Sequence, residues 1–250
     1  MKENTREEPR ILAAAERQMR AWSLTQEMSE GAAKSHRMDS THGRLGNYIT
    51  LSREAGAGGS EIGEAVGQRL GWEVLDKNLL DCVAQRFHLS RPMLELVDET
   101  MSNWAYDILG PWFDHQIIPH EKYLVHLARI VIAAARRGNV VIVGRGGQFL
   151  LPRNQGLAVR IIASEKYRVG RIMKKYAMGE AQARHFVTGV DRGRKEFVSQ
   201  FLHRDLADPH LYDLVINVDI LGPDGAVGEI LAAWERVEAR RIAAIPASHR

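Results

Sequence analysis

The residues best suited to chemistry are a short glycine run. Gly56, Ala57, Gly58, Gly59, Ser60, Glu61 and Ile62 follow an apolar segment at residues 49–52 and precede Val66 and Leu70 at helical spacing. Glycines at a strand-to-helix turn let backbone approach a ligand closely, and the unpaired N–H groups at the helix start attract phosphate oxygens. On the spacing G-x-x-x-x-G-K-[ST], Arg53 stands at the first glycine, Gly58 at the second, Gly59 at the lysine and Ser60 at the hydroxyl. The run reads as a phosphate cradle without its own cation, so charge on a transferring phosphoryl group must be met from elsewhere. The plainer alternative is a tight turn whose glycines only let helix and strand pack closely.

Cations are concentrated further along. Residues 160–204 hold eleven Lys and Arg against four Asp and Glu. Arg168 and Arg171 lie three apart on a helical stretch, while Arg192 and Arg194 flank Gly193 ahead of an apolar helix expected over 197–202. Arg145, in Val143-Gly144-Arg145-Gly146-Gly147, follows an apolar strand and falls at the carboxyl edge where open α/β sheets bind ligands. Asp76 ends a short strand, where its carboxylate caps the next helix or takes a proton or hydrogen bond from a substrate. Lys77 beside it is a candidate phosphate contact. The histidines show no H-E-x-x-H or comparable metal spacing, and the single cysteine, Cys82, reads as a small core residue.

These groups need elements to position them. Strands are expected at 48–52, 72–75, 140–143, 157–163 and 214–218, rich in Val and Ile and separated by helices. That alternation indicates a parallel sheet covered on both faces. The helices carry Ile62, Val66 and Leu70; Leu79, Leu80, Val83 and Phe87; Tyr123 through Ala134; Val169, Ile172, Met173 and Tyr176; and Val227, Ile230, Trp234 and Val237. The chain divides into an extension at 1–46, a domain at 47–238 and a basic tail at 239–250. Ile11, Ala15, Met19 and Trp22 suggest one amphipathic helix in the extension, a candidate for a protein partner or self-association.

Composition narrows the classes. With 250 residues, 45% hydrophobic and 26% charged, the chain has globular rather than disordered proportions. A net charge of +3 does not argue for nucleic acid, and residues 92–121 hold six acids with no Lys or Arg. Trp104, Tyr106, Trp112 and Phe113 within that stretch read as core packing or a base-stacking surface. No apolar run approaches the roughly 18 residues of a membrane span, so a cytoplasmic protein without membrane contact is expected.

The run ITLSREAGAGGSEIGEAVGQRLGWEVLDKNLL resembles the cytidylate kinase-like family, a branch of the P-loop nucleoside monophosphate kinases whose loop reads Gly-x-Gly-Gly without the lysine. VIVGRGGQFLL at 141–151, the basic segment at 191–194 and LYDLVINV at 211–218 match in the same order. The resemblance, covering residues 47–234, implies a three-layer α/β P-loop kinase fold, a five-stranded parallel sheet with helices on both faces and a helical lid. It also implies ATP and Mg2+ as cofactors, with γ-phosphoryl transfer to CMP, dCMP or a similar small phosphorylated acceptor. Residues 56–62 would then hold the triphosphate and Ser60 the Mg2+. Asp76, Lys77 and Arg145 would hold the acceptor, Arg168 and Arg171 would belong to the lid, and Arg192 and Arg194 would attend the transferring group, with Arg53 as the other candidate for the missing cation; Asp191 would orient an arginine or a magnesium-bound water, the plainer alternative being a surface ion pair. Related kinases carry Asp-Gly-Arg-Asp around the acceptor arginine, whereas Val143 and Gly146 stand in those places here. That departure keeps open a kinase for another acceptor, while the missing lysine and the extension at 1–46 keep open a nucleotide-binding regulatory protein without turnover.

Overall fold

The computed structural model describes residues 45–76 and 119–243, with side chains from residue 127 onward in the second stretch, together with positions 13, 17 and 78. The chain forms two compact units, residues 1–45 with 75–137, and 46–74 with 138–250. In the first, Pro119–Arg137 is helical, and the interior residues Leu127, Ile130, Val131 and Ala134 are buried at 3–4 spacing. Lys77, Cys82, Leu79, Leu80, Val83, Phe87, the four aromatics between 104 and 113, and Ile11, Ala15, Met19 and Trp22 lie outside the described residues.

The sheet comprises β1 (Tyr48–Arg53), β2 (Glu73–Leu75), β3 (Val140–Val143), β4 (Leu157–Ile162) and β5 (Leu214–Asn217), in the order β2-β3-β1-β4-β5. β1 runs parallel to β3 and β4, and β4 parallel to β5. Alternation sorts the side chains: Ile49, Leu51, Val141, Val143, Val159, Ile161 and Ile216 share one face. Ile62 and Val66 of α1 (Gly59–Leu70) cover it, with Val227, Ile230 and Trp234 from the closing helix. On the opposite face Thr50 and Ile142 lie beneath Gly147, the first residue of a short helix, Gly147–Leu150. Both faces are buried, which is why these strands read as continuous apolar runs.

Numbering along the chain, the helix at Pro119–Arg137 is α2 and the short one at Gly147–Leu150 is α3. α4 (Glu165–Tyr176) starts at Ser164, whose hydroxyl accepts the Tyr167 N–H at 3.3 Å. α5 (Glu180–Leu202) packs against α4 through a small second core of Val169, Ile172, Ala183 and Val187, and Ala55 joins that core. The helical pair is thereby rooted on the glycine loop. α5 also corrects the expectation of a separate segment before residue 197, since Arg192 and Arg194 lie inside one continuous helix. Gly189 and Gly193 cost helix stability, but the buried row Ala183, Val187, Val198 and Leu202 outweighs them. α6 (Val218–Ala243) bends at Gly222 and Pro223 and extends into the stretch read as a basic tail.

Candidate functional site

The glycine loop joins β1 to α1 at the carboxyl edge of the sheet. Gly56 (φ 80°) and Gly58 (φ 84°) both adopt left-handed backbone, and Gly58 accepts the first helical hydrogen bond, from the Ile62 N–H at 3.0 Å. A β-carbon on Gly56 would lie 2.6 Å from the Arg168 carbonyl oxygen, so close packing alone accounts for that glycine. At Gly58 the nearest neighbour is instead a cation, the Arg171 guanidinium, 3.2 Å from where a β-carbon would stand. A cleft of about 150 Å³ opens over the loop, lined by Arg53, Gly58, Gly59, Ser60, Glu61, Arg171, Lys175 and Arg194. Its floor is loop backbone, and in its walls the charged side chains alternate with Ile172, Tyr176, Phe186 and Val190.

Asp191 fastens the loop from α5. One carboxylate oxygen accepts the Ala55 N–H at 2.7 Å and the other accepts from Arg168 at 2.5 Å. Arg168 also donates to the carbonyls of Ala163 (3.0 Å) and Ala55 (3.3 Å) and pairs with Glu54 at 3.4 Å. Its side chain is only 13% exposed. Arg168 is thus a strut between α4 and the loop rather than a lid cation open to a ligand, and Asp191 is its hub rather than a surface ion pair. Glu54 completes the frame by accepting the Ala163 N–H at 3.1 Å and facing Arg160 at 4.0 Å.

Arg160, buried in β4, donates to the Ser52 hydroxyl at 3.3 Å and the Tyr212 hydroxyl at 3.4 Å. Tyr212 in turn donates to the Leu206 carbonyl at 2.9 Å. Sequence reading passed over Glu54, Arg160 and Tyr212. A sequence signal existed for Arg160, a single charge inside the apolar strand Leu-Ala-Val-Arg-Ile-Ile, because buried charges are kept only where partners await them.

Arg194 is the arginine of the basic segment that reaches the cleft. It donates to the Arg53 carbonyl at 2.8 Å and stands 3.6 Å from Asp191. Burial pulls its guanidinium below the ordinary range; Asp191 opposes this, while the charges of Arg160, Arg145 and Arg168 add to it. Arg194 thus stands among three further guanidinium groups, with the carboxylates of Asp191 and Glu54 between them. Arg192, placed with Arg194 from sequence, does not join it in the cleft. It is exposed and lines a different groove with Glu165, Arg168, Thr188, Asp191 and Lys195. Residues two apart on a helix point about 200° apart, which is why Arg192 and Arg194 line different grooves.

Arg53 threads between two loops. Its Cβ lies 2.5 Å from where a Gly59 β-carbon would stand, and a β-carbon on Gly144 would overlap its guanidinium. Arg145 is itself left-handed (φ 52°), between Gly144 (φ 89°) and Gly146 (φ 69°), and its guanidinium lies 5.5 Å from the centre of the Phe197 ring. Of the expected acceptor trio, Arg145 belongs to the unit that carries the loop, Asp76 to the other unit, and Lys77 lies outside the described residues.

Glu61, in the first turn of α1, forms ion pairs with Lys175 at 2.9 Å and Arg171 at 3.4 Å. Burial alone would raise its carboxyl; the Lys175 hydrogen bond, its own backbone N–H and Arg171 outweigh that and hold it below the usual range. Lys175 is another wall residue that sequence reading missed, although it follows Arg171 by one helical turn. Among the described residues no group of three His, Cys, Asp or Glu could hold a metal, and no helix is long and apolar enough to cross a membrane.

The cytidylate kinase-like family matches residues 48–220 of the chain. A cytidylate kinase of Thermococcus kodakarensis is 27% identical over 193 residues, covering 76% of this chain and 88% of its own. A cytidylate kinase of Pyrococcus horikoshii is 24% identical over 194 residues, covering 76% and 89%. Among solved structures, an uncharacterized protein from Eubacterium ventriosum shares the fold with a TM-score of 0.63 at 19% identity, over 76% of this chain and 98% of its own.

Proposed function

Because the chain belongs to the cytidylate kinase-like family, which it matches over residues 48–220, we propose that it is a phosphotransferase that moves the γ-phosphoryl group of ATP, in the presence of Mg2+, to CMP, dCMP or a similar small acceptor. The observation that carries this reading is the glycine loop at the end of β1, opening on a cleft that Arg194 lines from α5. The left-handed glycines and the start of α1 offer backbone N–H groups to the β-phosphate. Arg194 neutralises charge on the transferring group, and Asp191 with Arg168 fixes the loop that holds it. Arg145 takes the acceptor's phosphate. Arg53, wedged between the two loops, keeps donor and acceptor sides in register.

A loop that binds phosphate through backbone needs space where β-carbons would otherwise intrude, and Gly58 supplies it. Mg2+ takes few protein ligands and fills its shell with water and phosphate oxygens. The Ser60 hydroxyl in the cleft wall fits such a role, and no three-acid cluster is required. When bound, Mg2+ neutralises charge between the β- and γ-phosphates.

A coupled assay with ATP and a panel of nucleoside monophosphates and other small acceptors tests the reading. CMP or dCMP is expected to give the highest kcat/KM. Turnover confined to a different acceptor would correct the substrate. Tight ATP binding with no acceptor phosphorylated would make the protein a nucleotide-binding module and overturn the proposal.

A further inference from the structure

The loop lacks its lysine, yet an ammonium group stands over it. Lys175 Nζ lies 2.9 Å from a Glu61 carboxylate oxygen, and the Arg171 guanidinium lies 3.4 Å from the same oxygen. Arg171 and Lys175 sit one turn apart on α4 and both line the cleft with Gly58, Gly59 and Ser60. Glu61 comes from the first turn of α1, so its carboxylate is a negative charge at the positive end of a helix, where a phosphate would also be favoured.

The Lys175 and Glu61 side chains are 53% and 46% exposed. An ion pair that open to water contributes little to folding, so the placement calls for another account. Lysine is a compact charge on a long stem and reaches a ligand easily. One carboxylate now occupies two cations, and a polyphosphate with several charged oxygens would compete for both.

We propose that Lys175, with Arg171, supplies from α4 the charge that the loop's missing lysine would have supplied. Glu61 holds these cations over the loop until a polyphosphate takes its place. This inference rests on the phosphate-loop reading above and adds to it a donor of charge from outside the loop.

Calorimetric titration with ATP, with inorganic tripolyphosphate and with adenosine, at fixed ionic strength, tests it. Tripolyphosphate isolates contact with phosphate, and adenosine isolates contact with the base and sugar. Lys175→Met is expected to weaken ATP and tripolyphosphate binding by about tenfold or more, the order of one charge-assisted contact. Adenosine binding and thermal midpoint should be unchanged. Lys175→Arg should recover most of the loss. Glu61→Gln, which releases the cations from their internal anion, should tighten both phosphate probes several-fold. Native affinity for both probes in a folded Lys175→Met variant would overturn the inference alone, as would weaker binding in Glu61→Gln. Failure of the unsubstituted protein to bind either probe would overturn the phosphate-loop reading together with the inference.

Discussion

Arg194 and Arg192 are two positions apart in sequence and belong to different surfaces. Arg194 touches the Arg53 carbonyl and lines the cleft, whereas Arg192 faces an outer groove. Arg194→Ala should lower kcat by roughly 100-fold with little change in KM for ATP, as expected for a contact strongest in the transition state. Arg192→Ala should leave both constants near native values, and steady-state kinetics on the two variants separate the roles. Asp191→Ala removes the acceptor for the Ala55 N–H and the partner of Arg168 together. Arg168 keeps Glu54 and two carbonyls, whereas leaving the Ala55 N–H without its acceptor costs about 1–3 kcal/mol, so urea denaturation should show a stability loss of that order. At this scale the sequence was half legible. The loop glycines announced themselves because their types have few other uses. Arginine spacing could not distinguish Arg168, a strut, from Arg194, a cleft residue, because that difference is set by what each side chain meets.

α5 was the element least legible beforehand. Gly189 and Gly193 look like breakers, and its apolar row becomes coherent only when α4 and Ala55 lie against it. Strands were easier, because burial on both faces leaves uninterrupted apolar runs: β3 spans the expected 140–143, and β1 extends one residue beyond the expected 48–52. The glycines inside helices divide into two kinds. A β-carbon on Gly193 would meet nothing within 4 Å, whereas one on Gly63 would lie 2.6 Å from a Val143 methyl carbon. Gly193→Ala should therefore stabilise the protein by up to about 1 kcal/mol through helix propensity. Gly63→Ala should destabilise it, because strand and helix must separate to admit the methyl group. Thermal unfolding of the two variants should shift in opposite directions.

For the molecule as a whole, the order β2-β3-β1-β4-β5 was not legible from periodicity, which reports that strands are buried but not which are neighbours. Of the residues expected to hold an acceptor, Asp76 and Arg145 belong to different units. One global property follows from a single buried phenol. Tyr48 donates to the Pro152 carbonyl, and burial pushes its ionisation well above the ordinary range, an effect Arg241 reduces and Asp213 reinforces. The folded state thus favours the neutral ring. The associated stability is fully present below the unfolded value of about 10 and is lost as pH rises beyond it. Urea midpoints between about pH 8 and pH 11 should fall more steeply for the native protein than for Tyr48→Phe, which has no phenol to ionise. A different kind of global behaviour follows from Arg53, whose stem is wedged against Gly59 and whose guanidinium fills the space beside Gly144. Because one side chain touches both loops, ordering one with its ligand should reduce the entropic cost of ordering the other. Donor and acceptor should bind synergistically, and around a closed thermodynamic cycle the factor by which a non-hydrolysable ATP analogue tightens CMP must equal the factor by which CMP tightens the analogue. In Arg53→Ala both factors should collapse towards one.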